Sequence, residues 1–161
     1  MDKCLGIIYS IAGKENVVSE IYPKFTTDQA EIILRNHVGV VCLTPMLPEG
    51  GVARCEVSGF VFHIIYLRRI IPQTVGTDRF YETFIHELIH IFHTILGLPI
   101  NENVVEAECI RFYSLNKDFV KRLYESVVDS QKLLVWNPPI GSQLTHEDRL
   151  ELIKQKAKNQ R

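Results

Sequence analysis

The spacing of apolar residues changes period along the chain. Between Thr26 and Gly39 it is helical: Ala30, Ile33 and Leu34 make one stripe, Thr26 and Gln29 have capping-box spacing, and Gly39 follows the end. Three runs of strand character come next, Val38–Leu43, Val52–Val57 and Phe60–Leu67, separated by Pro45, Pro48, Gly50, Gly51 and the Ser58-Gly59 pair. Short Gly-containing turns between consecutive strands favour antiparallel pairing, because parallel crossovers need longer connections. The third run is apolar on both faces, which predicts a central strand or one covered by helices. His63 interrupts one of those faces and reads as a strand histidine rather than a site residue. Near the start, Cys4–Ala12 reads as a first core strand. As a signal-peptide core it is short, and Asp2 cancels Lys3 before it.

After Pro72 and Gly76 the period switches from two to about four. Thr77 or Asp78 can cap a helix running to about Leu96, with Gly97 and Pro99 stopping it. Phe84, Leu88, Ile91 and Ile95, with Ile85, Ile89, Phe92 and Leu96, give this helix a broad apolar surface. Its opposite face carries Thr83, His86, Glu87, His90, His93 and Thr94. The segment from Ile100 to Tyr113 reads as the next helix, capped at Asn101 or Asn103. A further amphipathic helix is predicted from Asp118 to about Leu134 through Phe119, Val120, Leu123, Val127 and Val128. Trp136 to Gly141 reads as a loop, and Thr145 with Asp148 caps a terminal helix whose His146 reads as a surface residue.

Composition narrows the class. With 161 residues, 46% of them hydrophobic, residues 1–161 make one domain large enough to bury a core without disulfides. A formal net charge of −1 gives no strong drive toward nucleic acid or an anionic membrane, and no apolar run reaches bilayer-spanning length. Cys4, Cys42, Cys55 and Cys109 include no CxxC pair, a pattern that fits reduced thiols and a cytoplasmic protein. Repeats, Gly-rich phosphate loops and a GxSxG elbow are absent.

The candidate chemistry lies in His86-Glu87-Leu88-Ile89-His90, an HExxH run of the kind that marks metalloproteases. Residues at i and i+4 stack on one helix face, so His86 and His90 can offer two imidazole nitrogens to one tetrahedral Zn²⁺ ion. Glu87 sits one position round, close enough to act on water at the ion as a general base. Three specified residues recur by chance at roughly 1 in 8000 positions, so the run carries weight in a chain this short. A catalytic zinc commonly takes three protein ligands, and Glu106 and Glu108 both qualify by chain distance. They lie about 200° apart around a helix, so only one can face the ion. Glu108 shares a stripe with Val104, Val105, Phe112 and Leu115, where a buried carboxylate requires a partner, and periodicity slightly favours it. Glu106 shares a stripe with Ile110 and Tyr113, preceded by Glu102.

The run from Thr83 to Phe119 resembles gluzincin-type zincins, and among them the compact ImmA/IrrE-type metallopeptidases and the small HExxH proteins of phages and mobile elements. The Glu106-Ala107 pair matches the former; Gly97-Leu98, Glu102 and Val105-Glu106 match the latter. Both alignments imply Glu106 as the third metal ligand beside His86 and His90, while an alternative register anchored on Phe112 implies Glu108. The bulky Ile89 departs from the usual HELGH pattern, and no helix-turn-helix segment accompanies the run. His93 and Leu96 stand where the metzincin pattern asks for Gly and His, so that family is excluded. Cys55 is similar in setting to the cysteine of deformylases, whose companion glycine-rich motif is missing.

The resemblance implies an α+β, zincin-like fold, with a small antiparallel or mixed sheet packed on the HExxH helix and a Glu-bearing helix following. It implies hydrolysis of a protein or peptide substrate with Glu87 as general base. Tyr113 and His93 are candidates for stabilising the oxyanion. The alternative is a degenerate or metal-binding zincin domain acting as an interaction protein of a mobile element or virus.

Overall fold

Helix α1 (Thr27–Asn36) starts where the capping box falls. Thr26 Oγ1 accepts from the Gln29 N–H at 3.2 Å, and Gln29 Oε1 accepts from the Thr26 N–H at 3.1 Å. Two first-turn donors are thereby satisfied, and Ala30, Ile33 and Leu34 form the buried stripe. The computed structural model to which this helix belongs describes residues 22–44, 50–68, 77–136 and 145–160. The predicted strand Cys4–Ala12 and residues 137–141 of the predicted loop lie outside the described residues.

The described elements continue with strands β1 (Val38–Thr44), β2 (Gly50–Val57) and β3 (Phe60–Arg68), then helices α2 (Thr77–Ile95), α3 (Glu102–Leu115) and α4 (Lys117–Asp129). Strand β4 (Leu133–Val135) and helix α5 (His146–Gln160) complete them. The result is an α+β arrangement with a mixed four-stranded sheet in the order β2-β3-β1-β4. β2 and β3 form the expected antiparallel hairpin, closed by Ser58 and Gly59, both at positive φ as a primed turn requires.

β1 departs from the antiparallel expectation: it pairs parallel with β3 and, on its other side, parallel with β4. Gly39 lies inside β1, at the register shift between Val38 and Val40, and does not mark the end of α1. Helix α1 ends instead at Asn36, with the His37 N–H donating to the Ile33 carbonyl. The helix expected to run to Leu134 stops at Asp129, and its last predicted residues belong to β4.

Both faces of β3 are covered, as its unbroken apolar run implies. On one face Ile65 and Leu67 join Val38 and Val41 against α2, α3 and α4. On the other Phe62, Ile64 and Tyr66 join Val40, Cys42, Ala53 and Cys55 under Ile153 and Ala157 of α5. The Thr145–Asp148 capping box at the start of α5 is formed in both directions. No helix among the described residues is long and apolar enough to cross a membrane.

Candidate metal centre

Helix α2 carries the HExxH run, and its apolar side explains why the run sits where it does. Phe84, Ile85, Leu88, Ile89, Ile91 and Phe92 are all buried in the helical core. Burying that many large side chains at about 25 cal/mol per Å² fixes the rotation of the helix, and this directs His86 and His90 away from the core. The helix stops at Gly97, which takes φ +71, while the Gly97 and Leu98 N–H groups donate to the Thr94 and His93 carbonyls.

The short connection returns the chain antiparallel as α3, and contacts between the two helices set their register. Tyr113 Oη donates to Asp78 Oδ1 at 2.6 Å, and Cys109 Sγ donates to the Glu82 carbonyl at 3.1 Å. Continuing toward the N-terminus of α3, Glu106 falls opposite His86, and Glu102 opposite His86 and His90. Asn101 caps this helix, its Oδ1 accepting from the Asn103 and Val104 N–H groups. Glu102 is therefore in the first turn, where the helix dipole favours a carboxylate.

The two rings of the pair lie with centroids 4.9 Å apart. His86 Nε2 is 3.2 Å from Glu102 Oε2, and His90 Nε2 is 2.8 Å from Glu102 Oε1, so one carboxylate spans both imidazoles. On the opposite edge of its ring, His86 Nδ1 is 3.0 Å from Glu106 Oε2. Ligand atoms of His86, Glu87 and His90 all lie within 4.8 Å of one another, a grouping able to hold a metal ion. Glu108 is placed elsewhere: its carboxylate accepts from Arg111 and from the Phe25 N–H, and these are the partners its buried stripe required.

Glu87 is only 5% exposed. Loss of solvent, together with the charge of Glu102, pushes its carboxyl up to about 8. Burial also lowers the His90 pKa, so its imidazole favours the neutral form a metal ligand needs. Beside the pair runs a cleft of about 310 Å³, lined by Gly50, Arg79, Glu82, Thr83, His86, Glu87, Glu106 and Cys109. Gly50, at the start of β2, lets the strand approach the helix closely: a Cβ there would stand 2.5 Å from Thr83 Cγ2.

Several side chains lie away from this cleft. Tyr113 spends its hydroxyl on Asp78. His93 is 1% exposed, between the rings of Tyr22 and Phe92, and its Nδ1 has no hydrogen-bond partner among the described residues. The α2 face that carries Thr83, Glu87 and His93 is thus largely packed rather than open. Cys55 is buried under α5 on the far side of the sheet. His63 is a buried strand residue whose N–H donates to the His37 carbonyl. The side chain of His146 is outside the described residues.

Two residues of the centre carry weaker signals in sequence. Glu102 precedes Glu106 by one helical turn, and Arg79 precedes Thr83 and Glu87 at helical spacing; both follow from periodicity once the helices are paired. The donor set, two imidazole nitrogens with carboxylate oxygens, is one that zinc accepts. Neighbouring ligands of a tetrahedral zinc lie about 3.3 Å apart, so the observed 2.8 and 3.2 Å separations are hydrogen-bonding distances that would have to widen slightly to admit an ion.

Comparison with protein-family models, with curated proteins and with solved structures gives no match.

Proposed function

We propose that this protein is a zinc-dependent metallopeptidase with a zincin-like active site. The observation that carries the reading is the convergence of His86 Nε2 and His90 Nε2 on one position, with the buried Glu87 carboxyl within 4.8 Å of both. His86 and His90 would hold the ion, and α3 would supply a carboxylate as third ligand. When bound, zinc supplies Lewis acidity, which acidifies water toward a pKa of about 7 and polarises a carbonyl.

The chain's own groups do the rest. Glu87 Oε accepts the proton of the attacking water and returns it to the leaving amine; a carboxyl poised near neutrality suits both transfers. Burial of Glu87 against Gly50 and Thr83 holds it on the cleft side of α2. β2 ends the sheet among the described residues, and Gly50 lines the cleft. The outer edge of β2 therefore offers backbone N–H and C=O groups to an extended peptide entering the cleft.

The test is metal content together with hydrolysis of a peptide library by untagged protein. Wild type is expected to hold about one zinc per chain, His86→Ala to lose it, and Glu87→Gln to keep it while cleavage falls by roughly 10²–10⁴-fold. A wild-type protein that takes up no zinc overturns the reading. Zinc bound without cleavage of any peptide, and with Glu87→Gln indistinguishable from wild type, favours the interaction-protein alternative.

A further inference from the structure

Resting on the metallopeptidase reading, we infer that Glu102 is the third zinc ligand and that Glu106 is a positioning residue acting through His86. The two carboxylates lie one turn apart on the same face of α3, yet they meet different edges of the His86 ring. Glu102 divides its oxygens between His86 Nε2 and His90 Nε2, the nitrogens through which both imidazoles face one carboxylate. Glu106 touches Nδ1 of His86 at 3.0 Å, whereas the ion pair of His90 is with Glu102.

An ionised carboxylate oxygen only accepts, so with no ion present both ring contacts of His86, Nδ1 with Glu106 and Nε2 with Glu102, need a hydrogen on the nitrogen. When the proton on Nε2 gives way to an ion, Glu106 would hold the remaining proton on Nδ1, which is how a carboxylate behind a histidine orients a metal ligand. The same logic excludes Glu106 from the ion's own shell, because the ring of His86 stands between them. Glu108 is held by Arg111 and the Phe25 N–H and does not compete. Glu102 can move as a ligand must: its side chain is 66% exposed, against 45% for Glu106.

The full chain is loaded with Co²⁺ for visible absorption, and its Zn²⁺ affinity is measured by chelator competition, for wild type and the Glu102→Gln, Glu102→Ala, Glu106→Gln and Glu106→Ala variants. Both Glu102 variants are expected to change the position and intensity of the cobalt bands, because an anionic carboxylate ligand is lost, replaced by a neutral amide in Gln and by nothing in Ala. Glu106→Ala is expected to leave the bands in place and weaken zinc by about 10–100-fold, the usual effect of removing a partner behind a ligand. Glu106→Gln, whose amide oxygen still accepts from Nδ1–H, is expected to restore most of that affinity; a purely structural loss would not be rescued this way. Bands that change with Glu106 and persist without Glu102, or that change equally with both, overturn the assignment. A wild-type chain that takes up neither Co²⁺ nor Zn²⁺ overturns the metallopeptidase reading instead.

Discussion

At the scale of single residues, Glu87 has the sharpest consequence. Its folded pKa of about 8 stands above the ordinary carboxyl value of 4.5, so in the metal-free protein folding binds a proton between those limits. The stability held below pH 4.5 is lost as pH rises through 8. Glu87→Gln removes this dependence, so the chelator-treated variant should gain on wild type from pH 5 to pH 8 by at most about 1.4 kcal/mol per pH unit. Urea unfolding at four pH values measures it, and parallel curves would mean the carboxyl is not desolvated. Cys42 and Cys109 are a second case: burial pushes both thiols up to about 12. Neither should be alkylated at neutral pH until the chain unfolds, as mass spectrometry before and after adding urea would reveal.

At the scale of elements, the centre depends on how α2, α3 and β2 end and approach. Asn101 is the clearest lever, because its two accepted hydrogen bonds begin the turn that holds Glu102. Asn101→Ala should lower stability by about 1 kcal/mol in chemical denaturation and weaken zinc, while Asn101→Gly should cost only a few tenths. Gly50 is the other lever. An added methyl would meet Thr83 Cγ2, whose side chain is held by a 2.8 Å bond from Oγ1 to the Arg79 carbonyl. Gly50→Ala should therefore push β2 from α2, at a cost of about 1–3 kcal/mol in the same experiment. These elements were legible because caps, glycines and period are local. β4 was not: Leu133-Leu134-Val135 continues the apolar spacing of α4, and only pairing with β1 draws it into the sheet.

At the scale of the whole molecule, the sheet separates two cores, and the candidate centre belongs to one of them. α2, α3 and α4 pack on one face, while Ile153 and Ala157 of α5 close the other. Ile153 is fully buried, so Ile153→Ala should destabilise by about 2–5 kcal/mol in urea while leaving zinc stoichiometry unchanged, since no residue of that core touches the cleft. Zinc lost together with stability would show that the sheet does not insulate the two sides.

The sequence by itself determined the α+β content, the β2–β3 hairpin, the Thr26, Asn101 and Thr145 starts, the Gly97 stop of α2, and the presentation of His86 and His90 on one face. Each of these follows from interactions within a few residues along the chain. The tertiary structure decided the parallel pairing of β1 with β3 and β4, the burial of His93, and the partners of Glu108. It also decided which carboxylates meet which ring edges of the histidine pair. Periodicity fixes the face a residue occupies on its own helix. The atom it meets depends on the register between helices, which contacts such as Tyr113 with Asp78 and Cys109 with the Glu82 carbonyl set from far away in sequence.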